Sequence, residues 1–355
     1  MTANPIHALR NDVERLALPS GRMVGSHGHA VARAYLLKRL TQIGLRPYIG
    51  DSFCLQYGGE GGTRVNLVGV VRGRDARKPP LLVGAHYDSV IPAPCADDNC
   101  AALAVALSAA GVLQRRRPPR DVVIALFDAE EPPHFLGPGM GSIRFYEGQM
   151  RPEGVHAAVI MDLVGHDVVV PFAQLRGNRL ADALASRFPR LARWDVALPI
   201  VRDLFFITGA ESHPGLAPAL ENVKLPRRLR LIAALNDYVG DMSDHGVFRR
   251  HGVPYLFLSC GRWPHYHAPT DTPDRLNYRK MQRIAKYLVR LVESLCDTQL
   301  EERRESADTV DFEIRCLKRA LGPILPLALR TLGIKRLETR QDLTDLAGAL
   351  LAAGL

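Results

Sequence analysis

His86, Asp98, Glu131, Asp162 and His267 are side chains of the types that hold a transition metal. Two imidazoles and three carboxylates suit zinc, which takes His nitrogen and Asp or Glu oxygen at about 2.0–2.2 Å. If one carboxylate is shared between two ions, each ion has a His, a terminal carboxylate and the shared one. Ions about 3.5–4 Å apart clamp a water and lower its pKa, giving a nucleophile at neutral pH. Such chemistry also needs a carboxylate that is not a ligand, to take and pass on the proton of that water. Glu130, beside Glu131, is placed for that role. Asp88, two residues beyond His86, can accept the other ring N–H of the imidazole and fix its tautomer.

These residues must be delivered to one place, and the pattern around them says how. Leu81–Ala85 and Val122–Phe127 read as buried strands, with an Ala/Leu-rich helical segment from Ala101 to Leu113 between them. His86-Tyr87-Asp88 follows the first strand, Asp128-Ala129-Glu130-Glu131 follows the second, and Asp97-Asp98-Asn99 opens the helix. Ala157–Val164 is another apolar run of the parallel-strand type, with Asp162 near its end. Gly252–Cys260 is a further one, preceded by Ser243-Asp244-His245 and followed by the His265–Thr272 stretch that contains His267. In open α/β sheets the ligand crevice lies outside the carboxyl ends of the strands. The His86–Asp88, Asp97–Asn99 and Asp128–Glu131 clusters therefore converge on one edge, and Asp162 and His267, at strand ends, join them.

The rest of the chain reads as support. Pro5–Tyr48 is helical with a break at Pro19–His29; Val31, Tyr35, Leu36, Leu40 and Ile43 fall on one helical face, and Gly44 supplies a stop. Gly58–Gly62 reads as a flexible loop before the strand-like Asn66–Val71, since no Lys-Ser/Thr follows to make it a phosphate loop. Pro132–Met140 is a loop leading to a short helix around Ile143–Glu147. Asn178–Leu235 alternates short helices with Pro-rich connections in no order the pattern resolves. The helix Lys280–Leu295 closes the unit, Glu301–Asp311 reads as a charged linker, and Phe312–Leu355 as helical. The expected architecture is α/β: a three-layer α/β/α domain over residues 1–298 with a mixed, mostly parallel central sheet. Residues 299–355 would form a linker and a small C-terminal helical appendage.

Composition narrows the function classes. At 47% hydrophobic and 23% charged, the chain has globular composition, and no uninterrupted apolar run approaches the ~20 residues of a membrane span. The start, Met1-Thr2-Ala3-Asn4-Pro5, lacks a basic region followed by an apolar one, so a cytoplasmic location with six reduced cysteines is expected. Cys95 and Cys100 flank the acidic cluster and are read as small core residues rather than thiolate ligands. The net charge of +9 comes from dispersed Arg without interleaved aromatic residues, which reads as solvated surface rather than a nucleic-acid face.

The motifs together resemble those of a known family, the co-catalytic di-zinc aminopeptidases of the MH clan, whose fold glutaminyl cyclases share. The resemblance rests on Gly84–Ser89, Ala96–Asn99, Phe127–Glu131, Met161-Asp162, Ser243–His245 and Tyr266–Thr272, which occur in the family's order. Gly25-Ser26-His27-Gly28 followed by a helix ending at Gly44-Leu45 is similar to the family's opening, and the likeness runs from Pro5 to about Asp297. It implies that His86 and Asp162 bind one zinc and Glu131 and His267 the other, with Asp98 bridging and Glu130 as general base. Tyr266 matches a position where some members use Tyr to steady an oxyanion. Two zinc ions are expected, with one as the lesser alternative, and a peptide with a free N-terminal amine as substrate. Cys100-Ala101-Ala102 departs from the Ser-Gly or Ala-Ser-Gly common after the bridging Asp, and the Pro132–Met140 loop leans toward the cyclases.

Each residue also has an ordinary explanation: Asp98 a helix cap, Glu130-Glu131 a solvated loop, His86 a core histidine. His134, His245 and His265 are expected to have such explanations. Joint placement at strand ends weighs against them for the five ligand candidates, because unpaired buried carboxylates cost several kcal/mol each. No Gly-x-Ser-x-Gly elbow and no His-Glu-x-x-His helix is present, which disfavours a serine hydrolase or a helix-borne zinc site. The expected function is a zinc aminopeptidase. The alternatives are a glutaminyl-cyclase-like acyltransferase and a catalytically silent binding protein on the same fold.

Overall fold

Alternation along three adjacent strands builds the two faces of the molecule. The computed structural model describes residues 4–59, 62–168, 202–300 and 306–352. Its strands are β1 (Arg46–Pro47), β2 (Cys54–Gly59), β3 (Gly62–Val71), β4 (Leu81–His86), β5 (Val122–Phe127), β6 (Ala157–Met161), β7 (Leu204–Thr208), β8 (Arg230–Ala233) and β9 (Tyr255–Ser259). They form one sheet in the order β1-β3-β5-β4-β6-β9-β7-β8, with β2 paired to β3. The sheet is mixed: β5, β4, β6 and β9 run parallel in the middle, and antiparallel joins lie toward both edges.

Leu81, Val83 and Ala85, with Val122, Ile124 and Leu126, face one way; Leu82, Val123, Ala125 and Phe127 face the other. Both faces are covered, so these strands are continuous apolar runs rather than alternating ones. The larger core lies under α1 (Pro5–Leu16), α2 (His27–Ile43), α3 (Ala102–Arg116) and later helices. The smaller is closed by Met140, Ile143, Phe145, Val247 and Phe248, from α4 (Gly141–Arg144), its flanks and α6 (His245–Arg250), with α5 (Leu216–Asn222) between in the chain. This is the three-layer α/β/α arrangement expected from the sequence. Gly84 sits where β4 is most tightly clamped, since a Cβ there would come within 2.7 Å of Ile160 and 2.8 Å of Phe127.

The helix α7 (Tyr278–Asp297) buries Met281, Ile284, Leu288, Leu291, Val292 and Leu295 on one face, at about 1.5–3 kcal/mol for each large aliphatic group. The stretch Ala96–Arg116, which includes α3, is long and apolar enough to cross a membrane, but 83% of its apolar window is buried in the core. It serves as the central helix against the sheet.

After β9 and α7 come α8 (Val310–Leu321), α9 (Leu325–Thr331) and α10 (Arg340–Ala352). On α8, Phe312, Cys316 and Ala320, spaced four apart, enter the larger core, while Ile314 and Leu317 join Leu325, Leu337, Leu343 and Leu346 in a separate cluster. Arg230 of β8 donates to the Ala320 carbonyl at 3.2 Å. The first of these helices thus packs on the sheet edge and carries the others.

Two expectations change. Of the stretch expected as a flexible loop, Gly58, Gly59 and Gly62 belong to strands: β2 pairs antiparallel with β3 through Gly59 opposite Gly62, so the strand expected at Asn66 begins at Gly62, and residues 60–61 lie outside the described residues. Within Asn178–Leu235, residues from 202 onward contain β7 and β8 besides helix α5; residues 178–201, like 301–305 of the expected linker and 353–355, lie outside the described residues.

Candidate metal centre

The parallel register sets the site. His86 is the last residue of β4 and lies opposite Phe127, after which the chain turns through Asp128 and Ala129 to Glu130 and Glu131. Asp162 directly follows β6 on the other side of β4. Asp98 lies in the short irregular helical turn Ala96–Ala101 that leads into α3, and its peptide bond to Asn99 is cis. His267 comes from the loop between β9 and α7. Non-glycine residues with positive φ accompany these arrivals: Ala129 (φ 55°) before Glu130, Leu163 (φ 54°) after Asp162, and His267 itself (φ 53°). Each such residue costs of order 1–3 kcal/mol and persists only where its surroundings hold it.

All five ligand candidates meet. Asp98 lies between the two imidazoles, with Oδ1 3.3 Å from His86 Nε2 and Oδ2 3.1 Å from His267 Nε2. Asp162 Oδ2 is 3.7 Å from His86 Nε2, and Glu131 Oε2 is 3.3 Å from His267 Nε2. The result is two groups, His86–Asp98–Asp162 and Asp98–Glu131–His267, that share Asp98. Glu130 is close as well: its Oε2 is 3.8 Å from His86 Nε2, and His86, Glu130 and Glu131 make a third group. Asp88 is 3.4 Å from His86 Nδ1 and accepts the backbone N–H groups of Glu130 and Glu131, each at 3.1 Å. It therefore fixes the turn that carries them and faces the His86 ring edge that points away from the centre.

The donor set fits a metal. His86 Nε2, His267 Nε2, Glu131 Oε1 and Asp162 Oδ1 are buried and make no hydrogen bond, and buried polar atoms without partners are costly. Charge points the same way. Burial, then Asp98, pushes Glu131 up to about 7. Burial together with Asp88 and Asp162 pushes Asp244 up to about 7, against His86. Burial alone would lower His267, but Asp98 and Glu131 outweigh it and raise it to about 9. Asp98 is held low by His267 and His86 in spite of its burial. So many carboxylates around two imidazoles call for cationic charge.

Supporting residues came less readily from the sequence. Asp244, just before α6, is fully buried with both carboxylate oxygens lacking hydrogen bonds and acts electrostatically on Glu130; its motif was visible, its place at the centre was not. Asp271 accepts the backbone N–H groups of Asp97 and Asp98 at 2.9–3.1 Å. Burial and Asp97 push Asp271 up to about 8, against the pull of those N–H groups. Asp128 accepts from Val65 N at 2.8 Å and pairs with His29, whose ring stacks on Tyr87. Tyr266 stacks on the His267 ring at 3.7 Å, and burial followed by Asp98 and Asp162 raises its phenol, so it remains an O–H donor at neutral pH. His245 stacks on Phe257 and bonds the Gly240 carbonyl, as an ordinary structural histidine does, and His134 meets Arg64. All six cysteines are free, and Cys95 and Cys100 are buried.

A layered α/β/α fold with a His/carboxylate cluster at the carboxyl ends of its parallel strands is the architecture of a metallohydrolase. The chain belongs to peptidase family M28, whose model matches residues 66–292. It is 25% identical over 239 residues to the uncharacterized protein YfbL of Escherichia coli, covering 60% of this chain and 66%, just under two thirds, of that one. Its fold is similar to that of the LapA aminopeptidase of Legionella pneumophila (TM-score 0.61, 17% identity, 83% of this chain and 73% of that one). It is also similar to glutaminyl cyclase of Porphyromonas gingivalis (TM-score 0.57, 16% identity, 81% of this chain and 97% of that one).

Proposed function

We propose that this chain is a zinc-dependent aminopeptidase that removes N-terminal residues from peptides. The observation that carries the reading is the sharing of Asp98, one oxygen toward each imidazole, which suits a centre of two ions. His86 and Asp162 would hold one, Glu131 and His267 the other. Zinc bound there supplies a Lewis acid and a water acidic enough to attack at neutral pH.

The protein's own groups supply the proton handling. Glu130 takes the proton of the attacking water and returns it to the departing amine. The Tyr266 hydroxyl donates to the oxygen on which negative charge develops. The acidic surroundings attract the substrate's N-terminal ammonium.

Glutaminyl-cyclase-like acyl transfer is the second reading. It is favoured by the Pro132–Met140 loop and by Trp263, which lies against His166 at 4.8 Å in the loop that also carries His267. The deciding experiment combines zinc analysis with product identification. The peptidase reading expects about two zinc per chain and free amino acid from unblocked peptides. Pyroglutamyl peptide from N-terminal Gln substrates, with no amino acid released, would replace it with the cyclase.

A further inference from the structure

A cavity of about 440 Å³ opens on the loop that follows Glu131, with Tyr57, Arg64, Pro133, His134, Gly139 and Arg144 in its wall. Among the described residues its lining carries two guanidinium groups, an imidazole and no carboxylate. Arg64 is only 9% exposed, its Nε is buried without a partner, and its Nη2 donates to His134 Nε2 at 3.4 Å. Arginine can only donate, so His134 accepts at Nε2 and is neutral, with its proton on Nδ1. Burial and Arg64 both depress the His134 pKa, in keeping with that tautomer. Arg144 is half-buried and forms no ion pair among the described residues. The Tyr57 hydroxyl donates to the Asp128 carbonyl at 3.1 Å. The wall therefore offers N–H donors and positive charge.

The cavity is built on the turn that carries the metal centre. The His134 N–H donates to the Glu131 carbonyl at 3.0 Å, and Tyr57 is fastened to the Asp128 carbonyl. A cation-lined recess is thus fastened to the turn that carries Glu130 and Glu131. A desolvated guanidinium whose buried N–H, like that of Arg64 Nε, has no acceptor is unfavourable until one is supplied, and Arg binds carboxylate and phosphate through the same fork of N–H donors.

We propose that this cavity, walled by Arg64, His134 and Arg144, is an oxyanion-binding site for a carboxylate or phosphate group. Two sources share that chemistry. One is the C-terminal carboxylate of a short peptide whose amine sits at the metal centre, and this source rests on the aminopeptidase reading. The other is a free anion such as inorganic phosphate.

The test uses the zinc-loaded full chain and the variants Arg64→Gln and Arg144→Gln. Inorganic phosphate is titrated calorimetrically, and kcat/KM is measured for alanyl-alanine and its C-terminal amide. Phosphate binding through the cavity weakens about tenfold or more in each variant, as expected for losing a charge-assisted pair; phosphate held by the metal centre itself persists in both. If the substrate carboxylate is the ligand, the free acid is preferred over the amide and that preference falls by a similar factor in the variants. If a free anion is the ligand, acid and amide react alike while phosphate binding still falls. Unchanged phosphate affinity together with an unchanged acid-to-amide ratio in both variants overturns the site. Arg144 lies nearer the surface, so its variant decides the matter even where Arg64→Gln does not fold. Should no peptide be cleaved at all, the aminopeptidase reading fails, and the phosphate titration still judges the cavity.

Discussion

Arg22 donates from its guanidinium to the backbone carbonyl of Asp98 at 3.1 Å. The same fully buried group also donates to the carbonyls of Leu16, Tyr87, Pro94 and Cys95. Among the described residues no carboxylate pairs with it. The cation is neutralised by carbonyl dipoles, and in exchange it ties the end of α1, the residue after His86 and the segment carrying Asp98 into one unit. Arg22→Met leaves those carbonyls buried without donors, and a loss of about 3–5 kcal/mol in urea unfolding is expected. Zinc content should fall in the fraction that still folds. Full stability with full zinc would mean that the clamp does not position Asp98.

Asp98 itself has the widest consequences, because both imidazoles face its carboxylate. Asp98→Ala should reduce zinc from about two equivalents to nearly none, whereas Asp162→Ala should remove about one. Metal analysis after desalting reads both. Undiminished occupancy in Asp98→Ala would show that the two groups do not share it.

Glu130 is the residue whose role geometry leaves between ligand and base, since it stands 3.8 Å from His86 Nε2. As the base, Glu130→Gln keeps zinc and fold and loses about 10²–10⁴ in kcat. A zinc deficit in that variant would make it a ligand instead, and unchanged kcat would remove it from the mechanism.

How much of this was legible follows from what each element must bury. β4, β5 and β6 are covered on both faces, so Leu81–Ala85, Val122–Phe127 and Ala157–Val164 stand out as apolar runs; the polar clusters after the first two point to His86, Glu130 and Glu131, and the lone carboxylate near the end of the third to Asp162. The hairpin partner β2 did not stand out, because Gln56, Gly58 and Gly59 break its apolar pattern and the strand is read only through its pairing with β3. Arg22 was invisible for a different reason. A lone arginine in a Gly-rich loop looks like solvated surface, and its burial depends on carbonyls that come together from α1, β4 and the Asp98 segment. Asp244 and Asp271 are distant in sequence from Glu130 and Asp98, the residues they act on, and only the fold brings them to the centre.

His245 makes stability depend on acidity. It is fully buried, stacks on Phe257 at 4.2 Å, and burial lowers its pKa from 6.5 to about 4. Below pH 6.5 the unfolded chain takes up a proton that the folded chain refuses until about pH 4. The neutral ring's full stability is therefore present above pH 6.5 and declines as pH falls toward 4, by up to about 3 kcal/mol. His245→Gln keeps a donor for the Gly240 carbonyl without titrating. Its stability at pH 7 should be lower through lost stacking, yet the difference from wild type should shrink by pH 5. Parallel pH dependences in urea unfolding would exclude His245 as the source.

Tyr266 distinguishes help in the transition state from help in binding. Its ring lies on the His267 imidazole with Arg262 over it at 5.3 Å, so the side chain is held by its faces. Neighbouring carboxylates and burial keep the phenol protonated. Removing only the hydroxyl leaves the stacking intact, and the ground-state substrate carbonyl gains little from a donor aimed at charge not yet formed. Tyr266→Phe should therefore lower kcat by about 10²-fold, the usual weight of one oxyanion donor, with KM changed by less than about threefold. Zinc content should stay at the wild-type value. A rise in KM with kcat intact would make Tyr266 a binding residue, and a loss of zinc would show that it acts by steadying His267.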